Sequence, residues 1–254
     1  MRDIEKYTNA LSKAIDSELL RELPFGCVNL RSNGSHNDMD YNLFVISKNS
    51  IAKSLKNITW SNINDFNQLR KAGKKVEDQM FAATNSINTH KGLIFLHMFI
   101  AKAYVDGIKR KDFNSYIENL AMPLINDYQT MGKAKKWDNN GLCDIRTYPI
   151  NGFVSLTNIV DQIYLQEISD LYLTIFLLAT TDDTTTFQRS SIETLRYVQK
   201  RAGQILNTST SKDFTIKAQE LSDYYINNNI SSGGVADLFT TIRTLEYLRE
   251  DFDD

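Results

Sequence analysis

Val235-Ala-Asp-Leu238-Phe239-Thr-Thr-Ile242-Arg-Thr-Leu245-Glu-Tyr-Leu-Arg-Glu250 decides the fold class. Val235, Leu238, Phe239, Ile242 and Leu245 recur three and four residues apart, which lays one apolar stripe along an α-helix and fits no two-residue strand period. The same spacing recurs toward the N-terminus. Ile4, Tyr7, Leu11, Ala14, Ile15 and Leu19 predict a first helix closed by Pro24, and a second runs over 39–56. A third spans 61–85 through Ile63, Phe66, Leu69, Val76 and Met80; helices over 91–109 and 111–131 follow, the latter kinked at Pro123. Residues 132–152 read as the longest irregular stretch, and helices over 153–167, 169–180, 190–206, 212–228 and 235–250 complete the chain. No alternating apolar run, internal repeat or domain seam interrupts this pattern. The expectation is an all-α protein, residues 1–254 forming a single compact multi-helix domain with its site built from interhelical loops.

Composition supports the helices and narrows the function. Among 254 residues there are 11 glycines and 3 prolines, too few for the many turns of a sandwich or barrel. The charge sum of 29 minus 31 is −2, which leaves no basic excess for a nucleic-acid backbone. Cys27 and Cys143 stand far apart without a CxxC pair, excluding a thiolate zinc site and suiting a reducing compartment. The N-terminus lacks a signal-peptide core, and the most apolar run, 171–179, is well short of the roughly 20 residues that cross a bilayer. A cytoplasmic protein without a membrane segment is expected, with homo-oligomerisation left open.

The polar breaks between helices hold the chemistry. Asn33-Gly34-Ser-His36-Asn-Asp38-Met-Asp40 is either a turn followed by acids in a helix's first turn, or a hard-cation site using Asp38 and Asp40. If the third helix persisted to Asn88, Glu77, Thr84 and Asn88 would form a polar line aimed at His90 and Lys91. Lys91 is then a phosphate ligand and Glu77 a metal ligand or base; otherwise Asn88 caps and Lys91 is solvated. His97 sits in an apolar helix and reads as a core residue. Thr181-Asp182-Asp183-Thr184-Thr-Thr186 follows the most apolar helix, where two adjacent acids repel and oppose the helix dipole. Either one of them caps the next helix or a divalent cation neutralises the pair. Ser231-Ser-Gly233-Gly234-Val-Ala-Asp237 opens the last helix, where glycines and free N–H groups suit a phosphate, or simply cap. Lys133, Lys135, Lys136 and Arg146 form a basic set in the irregular stretch, and Arg189 follows the acid pair.

Taken in order, Gly34-Ser-His-Asn-Asp-Met-Asp40, Met80-Phe-Ala-Ala-Thr84, Asn88-Thr-His-Lys-Gly92, Asp182-Asp-Thr184 and the Ser231–Asp237 string resemble triphosphoribosyl-dephospho-coenzyme A synthases. The resemblance runs from about Gly26 to Leu238. It implies an all-helical enzyme that joins ATP to 3′-dephospho-coenzyme A with release of adenine, supplying the prosthetic group of citrate lyase or malonate decarboxylase carrier proteins. The chain departs from the family pattern where its usual Lys-Pro-Gly-Leu-Val-Asp is here Pro24-Phe-Gly-Cys-Val-Asn29, so that a lysine and an acid are missing, and where Tyr148 stands for the glutamate of an Arg-Gly-Glu element whose arginine is Arg146.

Residue chemistry gives each position a role under that resemblance. Breaking a ribose–adenine bond builds positive charge on the sugar, favours a protonated leaving base and needs a base for the attacking hydroxyl. Glu77, Asp38 and His90 are the catalytic candidates, with Glu77 or Asp38 as base. Asn88, Lys91, Arg146, Arg189, Gly233, Gly234 and Asp237 are the candidate ATP ligands. Asp38, Asp40, Asp182 and Asp183 are the candidate magnesium ligands. The expected partners are ATP and a small-molecule acceptor, either dephospho-coenzyme A or a substitute. A magnesium-dependent nucleotide hydrolase and a non-catalytic nucleotide-binding descendant remain the alternatives.

Overall fold

A computed structural model describes residues 2–253, apart from the side chains of residues 133–135; the expectation for Lys133 and Lys135 lies outside the described residues. The first half carries α1 (Ile4–Leu19), α2 (Tyr41–Lys56), α3 (Phe66–Ala83), α4 (Lys91–Val105) and α5 (Arg110–Ala121). Short helices α6 (Asp127–Thr130), α7 (Gly132–Asn139) and α8 (Thr147–Ile150) connect to α9 (Val154–Leu165) and α10 (Asp170–Thr180). Then come α11 (Thr184–Arg189), α12 (Ile192–Leu206), α13 (Ser211–Asn227), α14 (Gly233–Tyr247) and α15 (Arg249–Asp253). No β-strand occurs among the described residues, only an isolated bridge between Asn29 and Ser32. The all-α expectation holds.

Helix α14 is the central post, packing against α1, α4, α9 and α10. Its predicted stripe is the reason: Val235, Phe239 and Ile242 are fully buried, each worth about 1.5–3 kcal/mol of burial. Helix α4 is apolar on every side and is accordingly enclosed, with α1, α3 and α5 around it. His97 lies within it as a core residue, its Nδ1 2.7 Å from the Tyr7 hydroxyl.

Several expected boundaries move, each for a local reason. Helix α3 stops at Ala83, because the Thr84 hydroxyl turns back to the carbonyls of Met80 and Ile87 while Asn85 and Ser86 adopt positive φ. The helix therefore never reaches Asn88, and the expected polar line does not form. Pro123 ends α5 instead of kinking it: the chain passes into a 3₁₀ turn, Met122–Asn126. The stretch 132–152 is partly helical, containing α7 and α8. Helix α11 lies inside what read as a break, started by Asp183.

Candidate active site

Four chain breaks meet at one cleft of about 330 Å³. His36 and Met39 come from the first break, the Asn88–Gly92 string from the second, Asp182 and Thr185 from the third, and Gly233 and Asp237 from the fourth. Arg146 and Tyr148 form part of the remaining wall. Asp38, Asp40, Glu77, Asp183 and Arg189 are not part of the lining, and each has another place.

Asp183 joins two helix ends. Its Oδ1 accepts the backbone N–H groups of Thr185 (2.8 Å) and Thr186 (2.9 Å), capping α11. Its Oδ2 accepts the N–H of Val235 at 3.0 Å, and Gly234 N–H also points to the carboxylate. Helix α14 has no side-chain cap of its own, so an acid from α11 serves as its cap. Burial pushes the Asp183 carboxyl up against the pull of these four N–H donors. Gly233 and Gly234 permit this closeness: a Cβ on Gly234 would stand 3.3 Å from Asp183 Cγ, and one on Gly233 3.2 Å from Thr185 Oγ1. The glycine turn thus brings two helix starts together at the cleft.

Asp237 is the acid that faces the cleft without a cationic partner among the described residues. Burial pushes its carboxyl well above the ordinary range, and the nearby charges of Asp183 and Glu18 push further, opposed only by a backbone N–H from Leu93. Its carboxyl packs against the backbone of Gly92, where a Cβ would come within 2.1 Å of Oδ2. Glu18, buried on α1 and paired with Arg21, lies across the cleft floor.

Two histidines present defined nitrogens. Arg189 donates to the Ser35 carbonyl at 2.9 Å and to His36 Nδ1 at 3.2 Å. Because arginine only donates, His36 carries its proton on Nε2, 3.1 Å from Ser231 Oγ. Arg189, expected as an ATP ligand, instead ties the first break to the fourth. The Thr89 hydroxyl donates to Ser47 at 2.7 Å, and Ser47 lies 2.7 Å from His90 Nδ1. Ser47 thus donates to Nδ1 and leaves the His90 proton on Nε2. Burial lowers the His90 pKa to about 3, so His90 is a neutral donor at physiological pH.

Lys91 reaches Glu77 at 2.9 Å across the cleft's edge, and Glu77 is 15% exposed there. Asn88 Oδ1 accepts the Lys91 N–H at 3.2 Å, holding the start of α4. Arg146 is held by Asp144 at 2.6 Å, and Tyr148 stands beside it, its hydroxyl pushed up to about 12 by burial.

The expected acid pairs come apart. Asp40 caps α2 through Leu43 N–H at 2.8 Å, on a separate depression. Asp38 is 62% exposed beside His36. Asp182 lines the cleft; burial opposes its charge, but hydrogen bonds from Cys143 N–H, Arg196 and Gln199 hold its pKa low. Asp183 has both oxygens engaged by helix N–H groups. With these carboxylates committed, the described residues form no group of three or more acid, histidine or cysteine ligands around one point. The donor set does not fit a magnesium ion held by protein alone.

Glu18 escaped sequence reading although it left a signal: it is a charge on the apolar stripe of α1, one turn after Ala14 and two after Leu11. Asn29, a departure from the family pattern, lies outside the cleft. Its Oδ1 accepts the N–H groups of Arg31 and Ser32, and its amide donates to the Arg21 carbonyl. It builds a turn.

The four breaks close a helical chain around one cleft of acids, cations and paired helix starts, and comparison with known proteins gives its class, a transferase. Residues 4–137 and 154–253 match the family model of CitG, ATP:dephospho-CoA triphosphoribosyl transferase, and the chain belongs to that family. The match omits residues 138–153, the stretch that carries Arg146 and Tyr148. A 2-(5''-triphosphoribosyl)-3'-dephosphocoenzyme-A synthase of Haemophilus ducreyi is 27% identical over 84% of this chain and 79% of its own length. A protein of Streptococcus mutans, named "Probable 2-(5''-triphosphoribosyl)-3'-dephosphocoenzyme-A synthase", is 28% identical over 98% of this chain and 99% of its own. No solved structure matches the chain. No helix among the described residues is long and apolar enough to cross a membrane.

Proposed function

We propose that this transferase moves the triphosphoribosyl group of ATP onto a hydroxyl of dephospho-coenzyme A, releasing adenine. The observation that carries the reading is Asp237, a buried carboxyl without a cationic partner among the described residues, its pKa pushed up by burial, in the cleft between the Asn88–Gly92 string and the glycine turn. The bond from ribose C1′ to the adenine nitrogen breaks, its electron pair goes to the base, and Asp237 gives the base a proton. The acceptor hydroxyl closes on C1′ and loses its proton to Glu77, which Lys91 holds at the cleft's edge. Neither acid lines the cleft itself, but Glu77 is favoured over Asp38 as base because it is 15% exposed beside Lys91 on the cleft's rim, whereas Asp38 is 62% exposed.

Thr184, Thr185 and the glycine turn line one wall and Lys91 and Arg146 the other, which suits a triphosphate between them. His90 offers a neutral N–H without added charge. Were magnesium to accompany the triphosphate, Asp182 is the one expected magnesium ligand that lines the cleft and could help hold it, and the ion would neutralise phosphate charge there. Asn29, as a turn residue, gives no ground for a substitute acceptor. Asp237→Asn keeps the shape and removes the proton donor; we expect kcat to fall about 10²–10⁴-fold with ATP affinity changed by less than about threefold, read by adenine release and by calorimetry. A variant with unchanged kcat removes Asp237 from the mechanism.

A further inference from the structure

Beside the cleft, between α3 and α4, lies a second cavity of about 240 Å³. Lys91, Gly92, Ile145 and Arg146 line both, so the two share a saddle. Their linings differ in kind. The cleft is rich in hydroxyls and helix ends, whereas the side cavity is walled by Phe66, Leu69, Ile94, Phe95, Met98 and Phe99. Phe66 and Phe99 stack at 22°, and Phe95 meets Phe99 edge to face. Its remaining lining, among the described residues, is glycine or charged: no hydroxyl or neutral amide side chain reaches it. Arg70, Lys74, Glu77, Lys91 and Arg146 supply the charges.

We infer that this side cavity is the acceptor's purine subsite, taking the adenine ring of dephospho-coenzyme A and not its pantetheine arm. The inference rests on the transferase reading above. A flat ring meets aromatic walls on its faces and keeps its polar edge at the charged rim, where Glu77 can accept from an exocyclic amine. A pantetheine arm spaces its amides along its length, so one that lies among the aromatic walls, away from the charged rim, would be buried without a partner. The departing adenine of ATP is assigned to the main cleft, because Asp237, the proposed proton donor, lines the cleft and not the side cavity. The acceptor's ribose hydroxyls then lie over the Lys91–Arg146 saddle beside Glu77, the proposed base.

Gly73 gives a handle remote from the cleft. It stands mid-helix in α3, where glycine weakens a helix, and leaves part of the cavity open; a Cβ there would meet only the flexible Met98 side chain, at 3.1 Å from Cγ. The test is equilibrium binding of dephospho-coenzyme A, ATP and 4′-phosphopantetheine to wild type, Gly73→Leu and the milder Gly73→Ala, alongside transfer rates. We expect dephospho-coenzyme A to bind at least tenfold more weakly to Gly73→Leu, with a smaller loss in Gly73→Ala and ATP affinity within twofold. Binding of 4′-phosphopantetheine should not change. Unchanged dephospho-coenzyme A affinity in Gly73→Leu overturns the subsite while leaving the transferase reading standing. Weakened ATP or 4′-phosphopantetheine binding overturns the assignment to the acceptor's purine. A wild type that binds dephospho-coenzyme A in this cavity but transfers nothing keeps the subsite and refutes the transferase reading, and a wild type that does not bind it refutes both.

Discussion

Asp237 and Gly92 fit each other so closely that a methyl group cannot pass between them: a Cβ on residue 92 would stand 2.1 Å from Asp237 Oδ2. The glycine that ends Asn88-Thr-His-Lys-Gly92 is therefore the seat of the cleft's buried carboxyl, Asp237. Gly92→Ala should displace Asp237 and lower kcat by about 10²–10⁴-fold, the worth of a positioned acid. Alanine also favours the helix start, so circular dichroism should show an unchanged fold. Activity within threefold of wild type would show that the contact is not needed.

Asp183 and the first residues of α14 make a second such pair, and it is structural. Asp183→Asn replaces one of two acceptor oxygens by an NH₂ group facing backbone N–H donors, in a fully buried place. We expect about 2–4 kcal/mol of lost stability in urea unfolding, from donors left without acceptors. The loss should be the same with and without magnesium. A loss that appears only with magnesium present would restore the cation role expected from the adjacent acids.

Burial holds His90 and His97 at pKa values of about 3, and His97 feels His90 as well. Unfolded histidines titrate near 6.5. Between those values the unfolded chain binds more protons, so the stability from these neutral imidazoles is complete above about pH 6.5 and is lost as pH falls toward 3, at about 1.4 kcal/mol per pH unit for each histidine. Glu18, Asp183 and Asp237, with raised pKa values, work in the opposite direction over the acid range. NMR titration separates the two sets: the ring shifts of His90 and His97 should stay flat from pH 8 to pH 5. A midpoint above pH 6 for either ring would contradict its enclosure.

The fold was legible because its long helices carry their stripes openly, as 235–245 does. The errors fall where helices are short or where one side chain ends them. Thr184-Thr-Thr-Phe-Gln-Arg189 is too short for any period and begins with three residues of low helix propensity, so the sequence leaves open whether Asp183 caps a helix or meets a cation; only with α11 in place are its oxygens seen to cap. For Asp40 likewise the sequence leaves a helix-start acid and a cation ligand open, and its commitment to capping α2 becomes clear only when that start is placed. For α3, the positive φ of Asn85 and Ser86 cut off a line that periodicity would have continued. The four breaks could be recognised as site material one by one, yet only packing around α14 shows that Asp237 faces the cleft while Arg189 braces it.

The central claim is that adenine leaves ATP only when an acceptor takes the sugar. Adenine release from ATP, followed by chromatography with and without dephospho-coenzyme A, measures this directly. The account predicts no release above background with ATP alone, and release matched one to one by triphosphoribosyl-dephospho-coenzyme A when the acceptor is added. Equal release without the acceptor would make the protein a nucleotide hydrolase, and ATP binding with no release under either condition would make it a binding protein; each result contradicts the account.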